Sequence, residues 1–250
     1  MINFIVQARS GSTRMPNKIL LPFYEGKSIL DLLIEKLKQV DGTKVIIATS
    51  VNPNCDAIRD VAENHGVVCF RGAENDVLQR FIDAAEAYHA SRLIRVCSDN
   101  PFLELGSIKE LVEFVSGSKD SYDYVSFDIN GIPSIKTHYG FWTEYVTLDT
   151  LKRVKQLTDE SLYHEHVTNY VYANPDKFSI DWIEGPEVIK THPDIRLTID
   201  TQDDFKNAQQ IYADLCRENP YPTIEQVVTY LDNHKDYYTS MKTQIVKNSK

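Results

Sequence analysis

The chain has 250 residues, 42% hydrophobic and 25% charged, with a formal net charge of −9. That length suffices for one α/β domain with a full core, and the acidic balance argues against general nucleic-acid binding, which needs a basic face. No apolar run approaches the ~20 residues of a membrane span, no secretory signal is visible, and the four cysteines form no C-x-x-C pair, which argues against zinc or a disulfide framework and makes the cytoplasm the expected location.

Residues 2–6 form an apolar run that reads as a buried strand. It breaks into Ala8-Arg9-Ser10-Gly11-Ser12-Thr13-Arg14-Met15-Pro16-Asn17-Lys18. Gly11 frees the backbone to turn and to approach a ligand. Ser10, Ser12 and Thr13 add hydroxyls, and consecutive N–H groups in such a turn form an anion nest. Arg9, Arg14 and Lys18 place three cations in this one loop. Such a loop after a parallel strand suits a polyphosphate; the alternative is a basic surface turn. It matches neither G-x-x-x-x-G-K-[ST] nor G-x-G-x-x-G.

Helical spacing over 29–40, capped by Ser28, is followed by an apolar strand at 45–48. Helices at 54–64 and 75–88 then alternate with strands at 67–70 and 93–97. This alternation implies a parallel sheet covered on both faces, with ligand-binding loops along one edge. After a helix at 107–115 the pattern changes to a short strand at 123–126 and a hairpin across 129–146. Helices at 148–157 and 163–172, strands at 178–183 and 195–199, and helices at 201–216 and 223–234 complete the reading. Residues 241–250 read as a mobile tail.

The loop Gln7 to Lys18 resembles the signature of the cytidylyltransferases that make CMP-activated sugars. That group includes the CMP-Kdo synthetases, the acylneuraminate cytidylyltransferases and the spore-coat polysaccharide protein F (SpsF) family. The likeness to the SpsF family continues through Phe70-Arg71-Gly72 with Asp76-Val77-Leu78, Ser98-Asp99-Asn100-Pro101, Glu165-His166-Val167-Thr168 and Arg196-Leu197-Thr198-Ile199-Asp200. The matches fall in family order across residues 1–215. The resemblance implies a three-layer α/β/α fold with a mixed, mainly parallel sheet, related to the nucleotide-diphospho-sugar transferases. It implies a single domain over 1–240, with a sugar-binding and dimer-forming excursion at about 130–172. The implied reaction transfers CMP from CTP to an acidic or otherwise unusual sugar and releases pyrophosphate, in polysaccharide or glycoconjugate biosynthesis. Two other readings stay open. One is a nucleotide-sugar-dependent glycosyltransferase, although the D-x-D motif of that class is replaced here by Ser98-Asp99-Asn100. The other is a non-catalytic nucleotide-binding protein of the same fold.

By the resemblance, Ala8, Arg9, Ser10, Gly11, Ser12, Thr13, Arg14, Lys18, Arg71, Asp76 and Cys97 bind the nucleotide, and Lys18, Arg14 and Asp99 carry the reaction. Arg71 also reads as an exposed turn residue, and Asp76 as an acid favoured by a helix dipole. Asp99 directly follows the strand 93–97, which places it at the carboxyl edge of the sheet. A carboxylate beside a triphosphate needs a bridging cation, and Mg²⁺ takes one or two carboxylates, several waters and phosphates. The plain alternative is an Asp-Asn-Pro turn. The resemblance makes Asp200 the second Mg²⁺ ligand, whereas residue type alone allows a helix N-cap. Both carboxylates are expected to face the loop from Arg9 to Lys18.

His164 and His166 are two residues apart, so on a helix they diverge and zinc is not expected there. Arg80, His138, Trp142, Glu144, Glu165 and His166 are expected at the sugar pocket. The chain departs from the family at Trp142, where an acidic residue is common; a packing Trp is the alternative. No general base is evident. Tyr139, Phe141, Trp142 and Tyr145 together suggest an apolar patch on a monomer, so a homodimer is expected. The other expected partners are CTP and a small sugar acceptor, with no nucleic acid and no membrane.

Overall fold

The computed structural model describes residues 1–12 and 14–248, without the side chain of Asn248. The first half contains β1 (Ile2–Gln7), a small hairpin of β2 (Pro22–Tyr24) and β3 (Lys27–Ser28), α1 (Ile29–Leu37), β4 (Thr43–Ser50), α2 (Asp56–Asn64), β5 (Val68–Gly72), α3 (Val77–Ala87) and β6 (Arg92–Cys97). The second half contains α4 (Leu105–Gly117), β7 (Tyr124–Ile129), β8 (Ile132–Pro133), β9 (Glu144–Thr147), α5 (Leu148–Leu157), α6 (Ser161–Glu165) and α7 (Asn169–Ala173). It ends with β10 (Ile180–Glu184), α8 (Glu187–Lys190), α9 (Gln202–Cys216), α10 (Ile224–Asn233) and α11 (Asp236–Asn248).

One sheet runs in the order β10-β7-β9-β6-β1-β4-β5, with β8 paired to β7. Strands β5, β4, β1 and β6 are mutually parallel, as the helices between them require. No α-helix separates β7 from β9, so the chain turns back through Asn130 and Gly131, both at positive φ. Strand β9 therefore enters antiparallel to both β6 and β7, while β10 is parallel to β7. The sheet is mixed and mainly parallel.

Period-two alternation divides the core. Phe4, Val6, Val45 and Ile47 face one layer with α1, α4, α9 and α10, while Ile5, Ile46 and Ala48 face another with α3, α5 and α7. The three-layer architecture follows. Ser28 caps α1 and forms a capping box with Asp31.

Four local readings change. Residues 195–199 are irregular, with a bend at Thr198, and join no sheet. The helix expected over 163–172 breaks at His166 into α6 and α7. Residues 241–248 continue α11, with Met241 buried, in place of the expected tail; 249 and 250 lie outside the described residues. Tyr139, Phe141, Trp142 and Tyr145 are all buried in the core, so they leave no apolar patch. Among the described residues, no helix is long and apolar enough to cross a membrane.

Candidate active site

The loop after β1 folds around a single atom. The carbonyl of Ser10 accepts the N–H groups of Ser12 (3.0 Å) and Asn17 (3.1 Å). Ala8 is buried, and its N–H donates to Ala48 O at 3.2 Å, extending the ladder into the loop. Ser10 is buried too; among the described residues its hydroxyl makes no close geometric hydrogen bond, and it neighbours the Cys55 thiol. Among the described residues of this loop, Asn17 is left-handed, at φ 57°, and Gly11 is not. Nothing lies within 4 Å of the point where a Cβ on Gly11 would stand, so Gly11 leaves the backbone uncovered rather than enabling a turn. A cleft of about 440 Å³ is lined by Ser10, Gly11, Ser12, Pro16, Asn17 and Asn54. Thr13 lies outside the described residues.

Lys18 carries the loop to the carboxylates. Its side chain is 11% exposed, and Nζ lies 3.1 Å from Asp99 Oδ2 and 3.7 Å from Asp200 Oδ1. The same ammonium donates to the Ile199 carbonyl. Arg14 Nη2 lies 2.9 Å from Asp200 Oδ1. The structure thus brings Arg14, Lys18, Asp99 and Asp200 together. Asp99 follows β6, and its turn is held on two sides. Ser98 Oγ donates to Gln7 O at 2.7 Å, and the Ile199 N–H donates to Asp99 O at 3.0 Å. Lys36 holds the next part of the turn, donating to Pro101 O (3.0 Å) and Leu103 O (2.6 Å).

Asp200 reaches this site from the irregular segment 195–199 rather than from the end of a sheet strand. It is not the helix cap either: Thr201 caps α9 and forms a capping box with Asp204. Arg196 Nη2 donates to Asp200 Oδ2 at 2.9 Å. The same guanidinium donates to Asp204 from Nε (2.9 Å) and Nη2 (3.1 Å). Burial alone would raise the Asp204 carboxyl; Arg196 and the N–H groups of Asp200 and Thr201 outweigh it and hold the carboxyl below its ordinary value. The sequence reading assigned no role to Arg196 or Asp204. Their signal was a cation inside a buried run, which needs an anionic partner nearby.

The other expected residues divide. Arg9 Nη2 lies 3.0 Å from Glu165 Oε1, joining the loop after β1 to the end of α6, with both side chains about half exposed. His166 is exposed beside it. His138 Nδ1 lies 2.8 Å from Arg196 Nη1. Cys97 adjoins Asp99, and burial pushes its thiol up to about 11.

Arg71 is engaged elsewhere. It donates to the carbonyls of Ser50 (3.2 Å), Val51 (3.1 Å) and Asn52 (3.0 Å) and pairs with Asp56 at 2.7 Å, bracing the turn that presents Asn54 to the cleft. Asp76 caps α3 and contacts Lys155 (2.7 Å) and His164 (2.9 Å). Arg80 is fully buried under the carbonyls of Ala73 and Glu74, with no hydrogen-bond partner for Nε and Nη2 among the described residues.

Glu144 is buried on the sheet, 3.4 Å from Arg95 and accepting from Thr168 Oγ1 at 2.5 Å. Trp142 is a packing residue: its ring centroid lies 5.8 Å from Phe127 and 5.5 Å from Phe141. Among the described residues, no group of three or more His, Cys, Asp or Glu is placed to hold a metal ion. Two convergent carboxylates are what the chain offers.

The chain is 35% identical over 233 residues to an uncharacterized protein of Methanocaldococcus jannaschii, covering 92% of this chain and 90% of that one. It is 31% identical over 246 residues to the spore coat polysaccharide biosynthesis protein SpsF of Bacillus subtilis, covering 95% and 97%. In fold it is similar to a cytidylyltransferase from Leptospira borgpetersenii, with a TM-score of 0.79, 24% identity and coverage of 94% and 95%. A CMP:2-keto-3-deoxy-manno-octonic acid synthetase complexed with CTP superposes with a TM-score of 0.64 at 15% identity, covering 85% and 98%. The cytidylyltransferase family profile matches residues 3–242. With nearly its whole length matched, the chain belongs to the cytidylyltransferase family, and is a nucleotidyltransferase enzyme.

Proposed function

We propose that this enzyme transfers CMP from CTP to the hydroxyl of an acidic or otherwise unusual sugar and releases pyrophosphate. The observation that carries this reading is the meeting of Arg14 and Lys18 with Asp99 and Asp200 at the mouth of the phosphate loop. The acceptor oxygen bonds to the α-phosphorus while the bond to the bridging oxygen breaks. Pyrophosphate leaves with the electron pair, and the hydroxyl proton passes to solvent.

The chain's part is positioning and charge neutralisation. The exposed backbone at Gly11 and the buried Ser10 hydroxyl face the polyphosphate, Arg14 and Lys18 balance its charge, and Lys18 stabilises charge developing at the α-phosphate. Asp99 and Asp200 fit a hard divalent cation: both are partly exposed, both offer only oxygen, and they leave most positions for water and phosphate. They would hold Mg²⁺, which supplies neutralisation of the triphosphate and polarisation of the α-phosphate.

The resemblance to SpsF supports a place in surface polysaccharide or glycoconjugate biosynthesis. The free cysteines at 55, 69, 97 and 216 support the cytoplasm as location. A homodimer through about 130–172 is retained, now resting on the exposed Leu157 and Leu162 of that segment. The test of the function is a pyrophosphate-release screen of the four ribonucleoside triphosphates against sugar acids and sugar phosphates. CTP with one acceptor class should give product; release from another nucleotide, or from none, contradicts the reading.

A further inference from the structure

The Arg196 side chain is wholly buried, and all three guanidinium nitrogens are used. Asp204 takes Nε and Nη2, Asp200 takes Nη2, and His138 takes Nη1. A guanidinium only donates, so His138 Nδ1 must accept, and the single proton of the neutral ring then sits on Nε2. The backbone fixes the same residue: His138 O accepts the N–H groups of Leu197 (2.9 Å) and Thr198 (3.3 Å). The ring is half-buried, and among the described residues its Nε2 has no hydrogen-bond partner.

We infer that Arg196 is a positioning residue with two outputs: it orients the Asp200 carboxylate, and it locks His138 as an Nε2–H donor to an oxygen of the sugar acceptor. This rests on the proposed function. His138 then orients the acceptor and takes no proton from it. Burial and the Arg196 charge both push the His138 imidazole below its ordinary value, against the weaker opposite pull of Asp200 and Asp204. The capping of α9 does not by itself explain the arrangement. Thr201 and Asp204 already close that capping box, whereas the contacts to Asp200 and His138 lie outside it.

The test has two readouts that need no acceptor. Long-range ¹H–¹⁵N spectra of ¹⁵N-histidine-labelled protein, assigned with His138→Gln, report the tautomer across about pH 7–8, above the ordinary imidazole value. Wild type should show a neutral Nε2–H ring throughout. Electron paramagnetic resonance of Mn²⁺ with CTP reports the Asp200 side. Arg196→Lys should weaken Mn²⁺ binding about 10- to 100-fold and mix the His138 tautomers. Thr201→Ala disturbs the same helix start and should lower stability while leaving both readouts at wild-type values. An imidazolium or an Nδ1–H ring in wild type overturns the inference without any variant having to fold. So does a folded Arg196→Lys with wild-type tautomer and wild-type Mn²⁺ affinity. Failure of CTP to bind overturns the proposed function instead, since the tautomer readout uses no nucleotide.

Discussion

Lys18 and Asp99 stand 81 residues apart in sequence and meet at 3.1 Å. The loop after β1 and the turn after β6 belong to adjacent parallel strands, so both emerge on one edge. Asp200, from beyond the sheet, closes the group on the other side of the same ammonium. One lysine thus bridges two carboxylates that would otherwise repel each other, and Arg14 and Arg196 add further positive charge at Asp200.

Lys18→Ala and Arg14→Ala should each reduce turnover about 10²-fold or more, because each removes a charge aimed at the phosphates. Their effects on folding should differ. Arg14 is half exposed and its loss should leave the melting temperature almost unchanged. Lys18 is buried and donates to the Ile199 carbonyl, so its removal should cost about 1–3 kcal/mol. Steady-state kinetics with CTP and urea unfolding separate the two. Unimpaired turnover in both variants would show that the loop does not hold the phosphates.

Gly140→Ala should damage the site from behind. Gly140 has φ +73°, and an added Cβ would stand 3.3 Å from Asn100 Oδ1, from the Leu197 carbonyl carbon and from Thr198 N. The substitution therefore presses on the turn carrying Asp99 and on the segment carrying Asp200 together. A left-handed alanine costs about 1–3 kcal/mol, and activity should fall with stability. A crystal structure of the variant with both carboxylates undisplaced, or full activity, contradicts this.

Lys36 gives a pH signature. Burial pushes its ammonium from 10.5 down to about 8. The folded value lies below the unfolded one, so between them the unfolded chain binds more protons. Through this group stability rises with pH from about 8 to 10.5 and is lowest, and level, below that window. The difference in unfolding free energy between wild type and Lys36→Met should therefore climb across the window in urea titrations. A level difference would contradict a buried, charged lysine at the Asp99 turn.

For the dimer, Leu157→Glu with Leu162→Glu should shift the sedimentation coefficient to that of a monomer at micromolar protein without lowering the melting temperature. Both residues are about half exposed in the single chain. A wild-type monomer under the same conditions ends the proposal.

Much of the frame was legible because local chemistry and fold agree. Alternating apolar runs and capped helices gave the parallel half, and Ser28 caps α1 as its residue type suggests. The meeting of Lys18 with Asp99 was legible because the loop after β1 and the turn after β6 leave neighbouring parallel strands on one edge. Less visible was anything decided by distant partners. Residues 195–199 look like a strand, yet their N–H groups at Leu197, Thr198 and Ile199 are taken by His138 and Asp99 rather than by a sheet neighbour. Arg71 and Asp76 carry the right charge in the right motif, but nearer partners hold them: carbonyls of the turn after β4 for one, Lys155 and His164 for the other. Aromatic density at 139–145 marked a core, not a surface, because Tyr139, Phe141 and Trp142 pack on one another and on Phe127, and Tyr145 lies on β9 between two strands.

The central claim is that Asp99 and Asp200 serve nucleotidyl transfer from CTP. The most direct test is ³¹P nuclear magnetic resonance of wild type, Asp99→Asn and Asp200→Asn with CTP, Mg²⁺ and the acceptor class found by screening. Wild type should convert CTP to pyrophosphate and a new CMP phosphodiester in equal amounts, while both variants stay folded and give neither. Inorganic phosphate in place of pyrophosphate, or full conversion by either variant, would contradict the account.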